Sequence, residues 1–179
     1  MTITLRPLPA PEAEARLPEL AAILVDAVEH GASVNFLAGL SMEQAAGFWR
    51  GQLPGLADGS RQLFVAEAAG RLAGTVVLTL AHQPNAPHRA EIGKMLVHSA
   101  LRRQGLGQRL LRMAEDAALA AGRTLLLLDT ETGSAGELLY RRCGWAEVGR
   151  VPDHSLTPDG RLADSTIFCK RLNSLAQHP

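Results

Sequence analysis

The segment Arg102-Arg103-Gln104-Gly105-Leu106-Gly107-Gln108 has the composition of an anion site. A glycine-rich turn that opens a helix leaves backbone N–H groups free where the helix dipole is positive. Glycines there let the backbone approach a diphosphate with no Cβ in the way. Arg102, Arg103 and Arg109 add positive charge. The plainer alternative is a helix start with solvated arginines. Two common phosphate loops do not fit. The dinucleotide fingerprint needs G-x-G-x-x-G, but position 110 is Leu, and a P-loop needs Lys and Ser or Thr after its glycines. Downstream, Asp129 closes the run Leu125–Leu128. A carboxylate there belongs at the C-terminal end of a buried parallel strand, where ligands of open α/β sheets bind. It can serve such a ligand, or cap the next turn through Thr130 or Thr132.

These residues need elements to hold them. Ile3 to Arg6 reads as a short strand, closed by Pro7 and Pro9. Leu17, Leu20, Ala21, Leu24 and Val28 recur at helical spacing within one helix from Glu12 to His30, ended by Gly31. Ser41 caps a second helix over Met42 to Leu53, stopped by Pro54-Gly55. The period then changes. Gln62 to Glu67 and Leu72 to Ala81 form an antiparallel hairpin about Ala69-Gly70, and Arg89 to His98 forms another strand. An amphipathic helix carries Leu106, Leu110, Met113, Ala114, Ala117 and Ala121 on one side and stops at Gly122. The four-leucine run follows at once, so residues 89 to 128 make a β-loop-α-β unit. Glu137 to Arg142 reads as helix. Trp145 to Val151 and Ser165 to Leu172 read as strands, with a turn at Pro158-Asp159-Gly160. The expectation is α/β: a mixed central sheet of about six to seven strands flanked by about four helices.

A chain of 179 residues with 46% hydrophobic and 20% charged side chains fits one globular domain over 1–179. Basic and acidic residues balance at 18 each, which offers no general attraction to nucleic acid or to an anionic membrane. Cys143 and Cys169 lack metal-ligand spacing, so no metal is expected and both thiols should be free. With no apolar run of signal or membrane-spanning length, the chain reads as cytoplasmic.

The pattern Arg102-x-x-Gly105-x-Gly107 resembles the R/Q-x-x-G-x-G/A signature of the GNAT acetyltransferases. The neighbouring stretches "EIGKMLVHSALRRQGLGQRLL", "LLLLDT" and "LLYRRCGW" are similar to that family as well. The resemblance implies the GNAT fold and acetyl-CoA as cosubstrate. Its diphosphate would bind on Arg102, Arg103, Gln104, Gly105, Leu106, Gly107 and Gln108, and its pantetheine arm would run along the backbone of Met95, Leu96 and Val97. "HGASVNF", "QPNAPHRAEIGKMLV", "LDTETGS" and "TPDGRL" sharpen it, over roughly residues 29 to 170, towards the tabtoxin-resistance type. That type acetylates a small amino-acid-like toxin. One departure stands out. Many members carry Asn and Ala seven and four positions before the Tyr of the last helix, where this chain has Gly133 and Gly136, so Ser134 is the substitute contact to CoA.

Acetyl transfer needs a neutral amine, and a carboxylate can take its proton. Glu91 is the first choice, because it precedes Gly105 by the spacing of the catalytic Glu in the histone-acetyltransferase branch. Asp129 either orients the ammonium or shares the base role. Tyr140, where the family has a Tyr, is the general acid for the departing thiolate or a packing residue. Ser33, Asn35 and Phe36 fall where the family has acceptor-site loops. The expected activity is N-acetylation of a primary amine on a small molecule, with toxin or antibiotic resistance as a role, by a monomer or homodimer. Protein lysine or N-terminal acetylation is the alternative. A non-catalytic acyl-CoA-binding module is the third reading, and the joint presence of Glu91, Asp129 and Tyr140 argues against it.

Overall fold

The computed structural model describes residues 3–172. Seven strands form one sheet in the order β1-β2-β3-β4-β5-β7-β6: β1 (Ile3–Pro7), β2 (Arg61–Ala68), β3 (Arg71–Leu80), β4 (Arg89–Val97), β5 (Leu125–Glu131), β6 (Ala146–Leu156) and β7 (Leu162–Arg171). Every pairing is antiparallel except that of β4 with β5. The six α-helices among the described residues are α1 (Ala10–Ala15), α2 (Leu17–Glu29), α3 (Met42–Arg50), α4 (Leu53–Ala57), α5 (Leu106–Ala120) and α6 (Ala135–Arg142). The expected mixed sheet and α/β class hold. The helix count is higher than expected because two helices are broken.

Both breaks have a backbone cause. The helix expected over Glu12 to His30 divides at Arg16, which caps α2, because Pro18 has no N–H to continue the ladder. The helix expected to run to Leu53 ends at Arg50, and Pro54 sits in the first turn of α4 instead of ending anything. The last hairpin is longer than expected: β6 runs past Val151 and through Pro152 to Leu156, and β7 starts at Leu162, because the pairing resumes beyond an irregularity between Val151 and Ser155. Other local signals hold. Ser41 and Gln44 form a reciprocal capping box on α3. Gly122, at φ 73°, terminates α5 and turns the chain directly into β5.

Apolar side chains cover both faces of the sheet. On one face Ala90, Ile92, Leu126, Leu128 and Phe168 pack with Leu106, Leu110, Leu111 and Ala114 of α5 and with Tyr140 of α6. On the other, Leu63, Val65, Val77 and Leu96 pack under α1, α2 and α3, with Trp49 buried among them. Burial on both sides explains why the central strands read as apolar runs instead of alternating patterns.

Candidate active site

Strands β4 and β5 pair only over Arg89–Glu91 and Leu125–Leu127. Beyond that the two parallel strands separate. β4 stays bound to β3, and β5 stays bound to β7 as far as Glu131. The result is a cleft at the C-terminal ends of the parallel pair, flanked by an unpaired edge of β4 from Gly93 to Val97.

A bulge gives that edge its shape. Thr75 faces Leu96 and Val77 faces Gly93, so two steps on β3 match three on β4. The extra residue is accommodated at Lys94, whose φ is 45°. Thr75 Oγ1 donates to the Lys94 carbonyl at 2.8 Å, which fixes the distortion. Gly74 permits it: a Cβ there would meet the Leu96 carbonyl oxygen at 2.8 Å. The bulge also reverses the alternation of β4. Ala90 and Ile92 point into the core beneath α5, whereas Leu96 points into the opposite one.

Register then assigns the carboxylates. Glu91 faces Leu127 across the parallel pair and Thr79 across the antiparallel one. Asp129 lies two residues beyond Leu127. Glu91 and Asp129 therefore share the face opposite α5, at the mouth of the cleft. Both are exposed. Ser165 Oγ donates to Asp129 Oδ2 at 3.0 Å and holds that carboxylate in place. Ser165 also has the Thr130 carbonyl within 3.1 Å. Neither Thr130 nor Thr132 is capped by Asp129: the Thr130 hydroxyl pairs with Ser134, and that of Thr132 with Thr166.

Tyr140 enters from the other face. Its ring is 6% exposed, tilted against Trp145 and Phe168 at centroid distances of 5.9 and 6.1 Å. Burial, helped by the nearby charge of Asp129, pushes the phenol well above its ordinary range. It stays protonated at any working pH. Burial also pushes the Cys143 thiol up, towards its neutral form.

The glycine-rich segment lies at the head of α5. Gly105 caps the helix at φ 75°, and Arg103 before it has φ 60°. Arg109 N is the first backbone donor of the helix to find an acceptor, on Gly105 at 3.2 Å. From Arg103 to Gln108, no backbone N–H has a partner among the described residues. Arg102 Nε donates to the Val97 carbonyl at 3.1 Å, so this side chain braces the loop against the end of β4. Arg109 reaches the Ile3 carbonyl at 3.3 Å, away from the loop. Gly107 is in contact with Leu139, which a Cβ would approach to 3.2 Å. Its need for glycine is thus already present in the packing of α5 on α6.

Asp26 of α2 anchors the start of the loop and escaped the sequence reading. It accepts from Ser99 N at 2.8 Å and from Ser99 Oγ at 2.6 Å. Burial alone would raise its pKa, but these two bonds outweigh it and hold the carboxyl below the ordinary range. Nothing local in the sequence links two residues so far apart.

At the start of α6, Ser134 Oγ accepts from Glu137 N at 3.2 Å. Gly133, at φ 80°, donates its N–H to the Glu137 carboxylate. A Cβ on Gly136 would meet Thr130 Oγ1 at 2.9 Å, so this turn excludes the Ala common in relatives. The hydroxyl of Ser134 is therefore already engaged as a helix cap.

The loop between α2 and α3 carries Ser33, Asn35 and Phe36. Phe36 stands edge-on to Phe48 at 5.5 Å. Ser33 is half-buried and Asn35 exposed at φ 71°, and neither side chain has a hydrogen bond among the described residues. Ala38 N donates to the Pro158 carbonyl at 2.8 Å, which ties this loop to the turn between β6 and β7. No described helix is long and apolar enough to cross a membrane.

Residues 20–145 match the acetyltransferase (GNAT) family. The chain belongs to that family. Solved GNAT-like structures share its fold over nearly their whole lengths. One is yncA from Salmonella typhimurium, whose structure holds its cofactor acetyl-CoA; it is 20% identical, covers 100% of this chain and 99% of its own, and gives a TM-score of 0.76. A protein assigned as a phosphinothricin N-acetyltransferase is 24% identical over 97% of this chain and 100% of its own, with a TM-score of 0.77. A ribosomal-protein-alanine N-acetyltransferase from Brucella melitensis is 27% identical over 94% and 99%, with a TM-score of 0.72.

Proposed function

We propose that this acetyltransferase takes acetyl from acetyl-CoA and transfers it to a primary amine of a small, amino-acid-like molecule. The observation that carries the reading is the juxtaposition of Glu91 and Asp129 on one face at the mouth of the β4–β5 cleft. The acetyl-CoA held by yncA and the assigned phosphinothricin activity of another relative support the donor and the acceptor class. The Brucella relative supports the alternative, a protein N-terminus.

The unpartnered N–H groups from Arg103 to Gln108 fit a diphosphate, and the free edge of β4 from Met95 to Val97 fits an extended amide-bearing arm. Acetyl-CoA supplies an activated thioester. Glu91 takes the proton from the acceptor ammonium, directly or through water, and the amine forms its C–N bond at the thioester carbonyl. Asp129, steadied by Ser165, orients the ammonium. As the C–S bond breaks, the protonated phenol of Tyr140 gives its proton to the thiolate, and the extra proton on the new amide nitrogen is lost through water, which restores the phenol. No step uses a metal.

The test is Glu91→Gln with acetyl-CoA and a fixed small amine. The value of kcat/KM should fall by about 10²–10⁴, with acetyl-CoA affinity nearly unchanged, and raising the pH should restore part of the rate as more amine arrives neutral. Near wild-type rates at neutral pH would remove Glu91 from this role and leave Asp129 or water as base. Higher kcat/KM for peptides than for every small amine would replace the acceptor class with the protein alternative.

A further inference from the structure

Lys94 is one of only two lysines in the chain, and its circumstances differ from those of the other. Lys170 is fully engaged, donating to both oxygens of Glu115 and to the Cys143 carbonyl, each at 2.8 Å. The ammonium of Lys94 has no hydrogen bond and no ion pair with any described residue. Its backbone forms the bulge, at φ 45°, and so the side chain emerges at the mouth of the cleft. There its ammonium lies 5.0 Å from the centre of the Phe48 ring. It is half-buried, and burial lowers its proton affinity while the charge of Asp129 pulls the other way. The nearest alternative cation on the strand, Arg89, is at its other end and reaches Gln83 at 3.3 Å.

A desolvated ammonium with three unused donors is costly unless something pairs with it. The cation–π contact contributes only about 0.5–2 kcal/mol and satisfies no hydrogen bond. The ammonium rests on Phe48, which packs against the core opposite α5, on the face of the sheet that also carries Asp129; the two form no ion pair among the described residues, so the charges stand apart. The space between them has a positive wall and a negative wall, and the Phe48 ring lies beneath the positive one. A molecule carrying a carboxylate and an ammonium a few bonds apart complements both walls at once.

We infer that Lys94 is the recognition group for a carboxylate on the acceptor, opposite Asp129, so that the preferred substrates are free amino acids or close analogues and not simple amines. This rests on the small-amine reading above and adds the anionic group that reading leaves unspecified. It also gives the left-handed bulge residue a task that a β-edge residue on regular backbone would not perform.

The experiment compares matched pairs, free α-amino acids against their C-terminal amides, in wild type and in Lys94→Met. Wild type should favour the acid member of each accepted pair. Lys94→Met keeps the length and apolar stem and loses only the ammonium, so KM for the acids should rise roughly tenfold to a hundredfold. That range follows from the worth of a hydrogen bond to a charged group. Values of kcat, KM for the amides, and acetyl-CoA affinity should move little. The wild-type comparison needs no variant, so a misfolded Lys94→Met would not shield the inference. An equal or better response to amides in wild type, or an equal loss for acids and amides in the variant, overturns the role of Lys94 and leaves the small-amine reading intact. Failure of wild type to acetylate either member of any pair, with acetyl-CoA still bound, overturns both together.

Discussion

Two helices begin beside the cleft, and their first turns are built in opposite ways. The head of α5 has a left-handed glycine, no side-chain cap and a run of unpartnered N–H groups. The head of α6 satisfies itself: Ser134 takes the N–H of Glu137, and Glu137 takes the N–H of Gly133 and is paired with Arg141 at 2.6 Å. The two termini touch through Gly107 and Leu139. Helix dipoles are alike at both, so the dipole alone does not make an anion site. What distinguishes α5 is that its donors have been left free. The contrast bears on Ser134 as well. Its hydroxyl is occupied by capping, and a second duty towards CoA would have to share it.

The largest effect that would sharpen this contrast is expected from Gly105→Val. A β-branched residue at φ 75° is strained, and relieving that strain rotates the donors at the head of α5. Acetyl-CoA affinity, followed by titration calorimetry, should drop tenfold or more, whereas Gly105→Asn, which tolerates the left-handed region, should stay much closer to wild type. Equal affinity for all three proteins would end the assignment of this loop. Gly107→Val is a poorer probe, because its side chain would strike Leu139 whether or not a ligand binds there.

Next in size is Glu137→Ala, which should act on stability instead of affinity. The Gly133 N–H and the Arg141 guanidinium hold the Glu137 carboxyl below its ordinary 4.5. A carboxyl lowered by folding contributes stability that is complete above the unfolded value and is lost as pH falls through the folded one. The variant should lose about 1.5–3 kcal/mol at pH 7, as expected for removing hydrogen bonds to a buried charged group. Denaturant titrations should show its deficit narrowing below pH 4.5. A deficit independent of pH would mean that the lost packing, not the charge, matters.

The smallest change is Ser134→Ala. Loss of an N-cap should cost about 1 kcal/mol in a thermal or denaturant unfolding measurement, with acetyl-CoA affinity unaltered. A clear loss of acetyl-CoA affinity with no loss of stability would break the contrast and restore Ser134 as a cofactor contact.

Local chemistry in the sequence determined the elements that depend on local chemistry. The hairpin at Ala69-Gly70, the capping box at Ser41, the glycine stop at Gly122 and the Gly105–Gly107 helix start all follow from backbone preferences within a few residues, and the structure has each of them. The two misplaced helix boundaries, at Arg16 and Arg50, come from reading apolar periodicity through a proline and past a helix end. The types of the site residues were likewise written in the chain, since a run such as Leu125–Leu128 ending in Asp129 already implies a buried strand with a carboxylate at its tip.

Their arrangement was decided by tertiary structure. Whether Glu91 and Asp129 share a face depends on the register of a parallel pair that stops after Glu91 and Leu127, and no local pattern records where two strands part. The bulge at Lys94 depends on Thr75 and Gly74 of the neighbouring strand. It reverses the facing of every residue after it, because side chains on a strand alternate with period two and one added residue exchanges the faces. Sequence fixes which groups are present. Pairing between segments distant in the chain fixes which of them meet, because the hydrogen bonds that set register and bulge join residues that no short window contains.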